Sequence, residues 1–466
     1  MSSDEELTKY EPFSKKKMLA FSLYLPIMNT FWVLRNWTQI YAAKALGIPI
    51  IYILLMFGIY ALWDAINDPL TGNLLDRSSK FTSKYGKRFP FIVIGLIGAL
   101  GTITLMFLPV SSDPLMAMLW LLIILIVYDA FQTIYELSVS GLIVDRFRDQ
   151  KQRIRLGGYT RLVGGVRGII TGISIPLLLL IGGGVSEPRA YFFMAVIIII
   201  ALFLVSIPMV LTTREPEEMI ELRIRLNVEG KSSSPAKVVI KRALTDKNFM
   251  SVVLAYLAWV VLMGCFSIGL TFYIVDVLEM PITAVALPTI TLLLVSFVTI
   301  PLWMKIAKKV GSRKAYLYLL LWTAISVASF IFAVNYTIVI ILAGLVGVAV
   351  GGSMVVYQGS TSEAIDDATL KSGIREESSY HGVLRFFSAT GIFFQVLIFT
   401  IVQTLTGYDP LLGPDNTDLA KFGLLLQMSL VPAACMLIIA LIFWKFCIVT
   451  KEKAIENKKK LIELNL

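Results

Sequence analysis

The sequence predicts an all-α membrane protein of twelve transmembrane helices in two six-helix bundles. Three observations carry this. Hydrophobic residues make up 57% of the 466 and charged ones only 16%, against roughly 45–50% and about 25% in soluble domains. The apolar residues gather into twelve windows, each near the ~20 residues a helix needs to cross a bilayer. One long polar stretch, 213–248, divides the windows six and six. The same balance excludes a soluble enzyme, a disordered chain and a disulfide-stapled scaffold.

In order, the windows cover 18–43, 50–76, 90–110, 115–144, 157–183 and 190–212, then 249–275, 283–304, 315–334, 337–362, 381–406 and 422–447. Their periodicity is helical, without the two-residue alternation of a membrane barrel. The first window follows Lys15-Lys16-Lys17 but outruns a signal-peptide core, so it reads as an uncleaved span. The predicted organisation is a bundle over 1–212, a linker over 213–248 and a second bundle with a tail over 249–466. Glu215, Glu217, Glu218 and Glu221 open the linker. A Ser232-Ser233-Ser234-Pro235 break and the basic Lys237, Lys241, Arg242 and Lys247 follow. The halves share a repeat after their second spans: Lys84-Tyr85-Gly86-Lys87-Arg88 in one, Lys308-Lys309-Val310-Gly311-Ser312-Arg313-Lys314 in the other. A glycine among cations suits a tight turn at a phospholipid surface, and its recurrence points to duplication. Glycines four apart (Gly164, Gly168 and Gly172, then Gly347 and Gly351) predict close helix packing.

Counting Lys and Arg by loop gives 35 on one side of the membrane and 3 on the other, with Arg35, Arg161, Arg167 and Arg385 inside spans. The positive-inside rule then places both termini and the linker in the cytoplasm of a multi-pass cell-membrane protein. The +10 net charge is topological, and no nucleic-acid partner is expected. Cys265, Cys435 and Cys447 fall in apolar runs and read as small hydrophobes.

Ionisable groups inside spans are functional candidates, because each costs several kcal/mol without water or a partner. Asp64, Asn67 and Asp68 lie at i, i+3 and i+4 in the second window and share one helical face. Asp129, Thr133 and Glu136 do the same in the fourth. Two close carboxylates in low dielectric do not both ionise without a cation or a proton. Oxygen ligands without His or Cys suit Na⁺, Li⁺ or H⁺, and adding Thr133 and Glu136 to the first trio would complete an oxygen cage. The bland alternative is that these acids pair with Arg35, Arg161 or Arg385 and only orient helices. Tyr128, Tyr135, Trp37, Trp259 and Tyr357 are suited to stacking on a pyranose, or simply to packing. No phosphate loop, nucleophile triad or zinc motif is present, so an enzyme is not expected, nor any cofactor beyond a coupling ion.

Trp63-Asp64-Ala65-Ile66-Asn67-Asp68-Pro69, followed by Gly72, Asp76-Arg77 and Gly86-Lys87-Arg88-Phe89-Pro90, resembles the glycoside–pentoside–hexuronide:cation symporters. These are a melibiose-permease-like branch of the major facilitator superfamily. Thr133-Ile134-Tyr135-Glu136, then Asp149 to Arg153, then Arg161, is similar to the family's pattern in spacing, and Arg375-Glu376 is a third, weaker stretch. The resemblance implies the major facilitator fold and a cation site at Asp64, Asn67, Asp68 and Thr133, with Na⁺ or H⁺ as the coupling ion. It implies that Glu136 and Arg161 contact substrate. The family's first-span acid falls near Met28 or Asn29, and its eleventh-span lysine near Ser388, with Arg385 one turn earlier. Arg35, Asp129 and Arg385 complete the expected substrate set.

The expected function is cation-coupled symport of a glycoside, sugar or sugar derivative by alternating access. The alternative is a carrier of lysolipids, other amphiphiles or organic anions on the same scaffold. A cysteine placed at Ser233 should react with impermeant reagents only in opened or inverted vesicles; labelling from outside intact cells would overturn the orientation.

Overall fold

The computed structural model describes residues 13–77, 86–147, 150–216, 236–373 and 377–463. Among these, twelve helices are long and apolar enough to cross a membrane. The first six are α1 (Lys15–Ala45), α2 (Ile50–Gly72), α3 (Phe89–Met106), α4 (Pro114–Ile143), α5 (Arg155–Ile181) and α6 (Pro188–Thr212). The second six are α7 (Lys247–Val277), α8 (Ile282–Val310), α9 (Ser312–Phe332), α10 (Tyr336–Ser372), α11 (Tyr380–Thr406) and α12 (Asp418–Phe446). Two further helices, Ala236–Thr245 and Lys451–Glu463, are shorter. The chain divides into two compact units, Met1–Lys231 and Ser232–Leu466. Linker residues 217–235, Lys84, Asp149, Arg375 and Glu376, named above, lie outside the described residues.

Caps explain several boundaries. Asp113, Asn335 and Thr417 each accept a hydrogen bond from the backbone N–H three residues on, which starts α4, α10 and α12. Three predicted ends are corrected, and one of them is α8, which runs to Val310 and not to 304. Helix α3 stops at Met106 and not at 110, because Pro109 biases the residue before it out of the helical region. Helix α10 runs to Ser372, ten residues past the predicted end. The apolar run ends earlier than the helix: Lys371 Nζ meets Asp367 one turn back at 2.7 Å, and Lys453 of the tail helix meets the same carboxylate at 3.0 Å.

Each unit repeats the same turn chemistry. Its first span ends in a π-helical turn, Tyr41–Ala45 in one and Tyr273–Val277 in the other. The tyrosine that opens each turn donates its hydroxyl to a backbone carbonyl just beyond the unit's third span, Phe107 O or Ala333 O. The two glycines of the sequence repeat also match, with Gly86 at φ +87° and Gly311 at φ +83°. That backbone region is strained for residues with a side chain, which explains glycine at both turns.

Outward surfaces are apolar. Val298 and Leu405 are each 78% exposed, and Leu62, Leu74 and Ile325 are similarly bare. In water such a belt would aggregate; in hydrocarbon it is the correct solvent. Inside the second unit, Gly347 of α10 packs on the Leu292 carbonyl of α8 and Gly351 on Ser296, so the predicted close packing holds there. It does not hold at Gly164, where an added Cβ would meet only a Leu25 methyl at 3.6 Å. A closer approach lies at Gly95 of α3, where a Cβ would sit 2.8 Å from Phe131 O of α4.

Gly95→Ala should therefore lower stability by about 1–3 kcal/mol, the usual cost of overpacking. Gly164→Ala should stay near neutral. Thermal unfolding of both in detergent checks this, and equal shifts would contradict it.

Candidate functional site

Helix α2 presents Tyr60, Asp64, Asn67, Asp68 and Thr71 at i, i+4, i+7, i+8 and i+11, along a single face. Helix α4 presents Asp129, Gln132, Thr133 and Glu136, and α1 contributes Trp32 and Arg35. Arg35, Asp64, Asn67, Asp129 and Thr133 are buried, while Asp68 and Glu136 are half-buried.

A directional chain of hydrogen bonds joins these helices. Arg35 Nη1 donates to the Tyr60 hydroxyl at 3.0 Å, and that hydroxyl donates to Asp129 Oδ1 at 2.9 Å. Asn67 Nδ2 donates to Asp129 Oδ2 at 2.9 Å and to Thr133 Oγ1 at 3.0 Å. Thr133 Oγ1 donates onward to Asp68 Oδ1 at 3.1 Å, and Thr71 Oγ1 donates to Asn67 Oδ1 at 2.9 Å. Both Asp129 oxygens are thus occupied by donors. The Arg35 guanidinium also lies over the Trp32 ring, 4.1 Å from its centroid, a cation–π contact that fixes its orientation.

Hydrogen bonds join Asn67, Thr133 and Asp68, and Asp64 lies on the same face of α2. The amide of Asn67 turns its nitrogen to Asp129 and Thr133 and its oxygen to the Thr71 hydroxyl. Among the described residues no group of three or more His, Cys, Asp or Glu is arranged to hold a metal ion. Asp129, expected among the substrate contacts, ties α2 to α4. Arg35 joins it through Tyr60, and the Arg35 charge also reaches Asp64 and Tyr128. Arg161 is exposed on α5, outside the buried chain, whereas Glu136 sits one turn beyond Thr133. Tyr60, Trp32 and Thr71 were missed. Extending the four-residue spacing of Asp64 and Asp68 backwards would have found Tyr60.

Several buried polar atoms of this layer have no hydrogen-bond partner among the described residues: Arg35 Nε, Trp63 Nε1, Tyr128 Oη and Gln132 Oε1. Such groups are costly to bury, which makes them natural contacts for a polar solute. In the second unit, Tyr256, Trp259, Tyr316, Ser353, Met354 and Tyr357 line a cavity of about 170 Å³. Tyr256 and Tyr357 stack 4.1 Å apart, and Trp259 lies nearly parallel to Tyr256 at 6.2 Å. Trp259 Nε1 and Tyr316 Oη are likewise buried without a partner among the described residues. Arg385 is half-buried on α11, its charge reaching Tyr256.

Twelve spans in two units, with polar and aromatic interiors under an apolar exterior, define a membrane transporter of the major facilitator fold. The chain belongs to the MFS/sugar transport protein family, whose profile matches residues 22–449. Its fold is similar to three solved structures. The nucleoside transporter NupG is 13% identical, with a TM-score of 0.64 over 93% of this chain and 99% of that one. A bacterial homologue of the human lysosomal transporter Spinster, inward-facing and unoccupied, is 16% identical, with a TM-score of 0.63 over 96% and 99%. The D-xylose–proton symporter is 13% identical, with a TM-score of 0.58 over 93% and 98%.

Tyr60→Phe removes the link between Arg35 and Asp129. It should lower stability in detergent by about 1–2 kcal/mol, the range for polar bonds between membrane helices. In an Asp129→Ala background the same change should cost less than half as much. A double-mutant cycle measures this, and simple additivity would show that the two side chains do not act together.

Proposed function

We propose that this protein is a secondary active transporter that couples Na⁺ or H⁺ to symport of a glycoside, sugar or sugar derivative. The observation that carries the reading is that Asp68 and Asp129 approach one Asn67–Thr133 pair from two sides. Their like charges repel across that pair, and the Asp68 charge is felt at Asp129. A monovalent cation or a proton entering there relieves the repulsion. Release of the Thr71 bond would let the Asn67 amide rotate and offer its oxygen beside Asp64, Asp68 and the Thr133 hydroxyl. An amide and a hydroxyl beside acids are useful ligands for a metal ion and unnecessary for a proton, so Na⁺ is the favoured ion. Coupling then has a physical cause. With the acids bare, the site needs water and resists occlusion; with a cation bound, it can close.

The solute's class follows from the leftover donors and the aromatic walls. A sugar offers hydroxyls for Tyr128, Gln132 and Arg35 Nε of the first unit; the second unit, taken by itself, carries Tyr256, Tyr357 and Trp259, rings suited to a sugar's C–H face. Glu136 and Arg161 remain candidate substrate contacts through the family resemblance, and Arg35 would favour a derivative with an anionic group. The chain would act in the cell membrane with both termini cytoplasmic, as its charge asymmetry implies.

Asp68→Cys should abolish cation-driven uphill accumulation, bringing internal solute down to the external level, while downhill exchange persists. Transport by proteoliposomes under an imposed Na⁺ or H⁺ gradient measures both. A variant that still concentrates solute would show that Asp68 does not serve the coupling ion.

A further inference from the structure

At the basic helix ends of the second unit, the short helix Ala236–Thr245 meets the start of α7 and the ends of α10 and α12 around a cavity of about 650 Å³. Four cationic side chains line it, Arg242, Lys247, Lys371 and Lys445, with a single acid, Asp246. That acid is already engaged. Its Oδ1 caps α7 by accepting from the backbone N–H of Asn248 at 2.9 Å and of Phe249 at 3.2 Å. Its Oδ2 takes Lys371 at 2.8 Å, and Lys371 also reaches Asp367 at 2.7 Å. Lys371 therefore braces the wall. Lys247 and Lys445 are exposed, and among the described residues neither has a carboxylate partner. Their ammonium groups both attend the Phe446 ring, at 5.9 and 5.6 Å from its centroid. Two like charges gathered on one ring are held together best by an anion between them.

The surroundings say which anion. Leu244 and Trp444, next in sequence to the lining residues Thr245 and Lys445, and Ile448, which lines the cavity itself, are bare, at 46%, 60% and 48% exposure. Phe446, the last residue of the membrane-crossing helix α12, lines the cavity, and the ends of such helices are where tryptophan is enriched at the bilayer interface. A free phosphate would need the cations but not the apolar shoulder. A phospholipid needs both. We infer that this pocket binds the phosphate headgroup of an anionic phospholipid, its acyl chains lying along Leu244, Trp444 and Ile448. The bound lipid would tie the ends of α7 and α12 to the Ala236–Thr245 helix and so stabilise the second unit.

The test uses the purified full-length chain in detergent, with thermal unfolding followed against added phosphatidylglycerol, phosphatidylcholine or inorganic phosphate. Phosphatidylglycerol should raise the melting temperature by mass action, and phosphatidylcholine should not. The double variant Lys247→Gln/Lys445→Gln should need at least tenfold more phosphatidylglycerol for half its effect. The control Lys458→Gln/Lys459→Gln, which removes as much charge from the exposed face of the tail helix, should respond as the unaltered chain does. An unchanged response in the Lys247/Lys445 variant overturns the proposal, and so does an equal effect from inorganic phosphate, which would mark a free-anion site. Should that variant fail to fold, native mass spectrometry of the unaltered chain decides instead. Preferential retention of phosphatidylglycerol over phosphatidylcholine supports the site; equal retention refutes it.

Discussion

A carboxylate buried among membrane helices loses the hydration worth several kcal/mol to it in water, and Asp129 meets that loss with two donors from the neighbouring helix. Tyr60 and Asn67, both on α2, occupy its two oxygens. The rest of the first unit's interior is arranged around this pairing. The Tyr60 hydroxyl donates to Asp129 because Arg35 supplies it with a proton donor from the other side, and Arg35 is held by the face of Trp32. Asn67 turns its nitrogen to Asp129 and Thr133, which leaves its oxygen to Thr71 and directs the Thr133 hydroxyl to Asp68. One charged group is thereby linked, directly or in turn, to seven side chains on three helices.

That arrangement is rigid where it is saturated and responsive where it is not. Asp129 has both oxygens filled. The Asn67–Thr133 pair, by contrast, lies between two carboxylates, Asp129 and Asp68. Under the proposed coupling, rotation of the Asn67 amide would give the site two states close in free energy. Arg35 Nε, Tyr128 Oη and Gln132 Oε1, without a partner among the described residues, are the polar atoms through which a solute would favour one state over the other in that proposal.

The second unit repeats the backbone devices of the first and fills its interior differently. The π-helical turns, their tyrosine-to-carbonyl bonds and the positive-φ glycines recur, while a stacked aromatic cavity lines part of the interior. Duplication explains the shared turns, since they set helix direction in any unit of this kind. Divergence of interior side chains follows because each position there is free to change once its helix is fixed.

Composition and periodicity by themselves determined the class, the number of spans and the repeated turn, because the cost of placing polar backbone or side chains in hydrocarbon constrains every residue of a membrane helix. They also placed Asp64, Asn67 and Asp68 on one helical face and Asp129 and Thr133 on another, since a helix has a fixed angular step. Tertiary structure alone decided what those residues do to one another. Sequence spacing orders groups along one helix but carries no information on rotation between helices. The partnership of Asp129 with Tyr60, the reversed amide of Asn67, the exposure of Arg161 and the open flank of Gly164 all depend on that rotation. The same holds for the length of α10, whose last turns are polar by hydropathy and helical because Lys371 and Lys453 converge on Asp367.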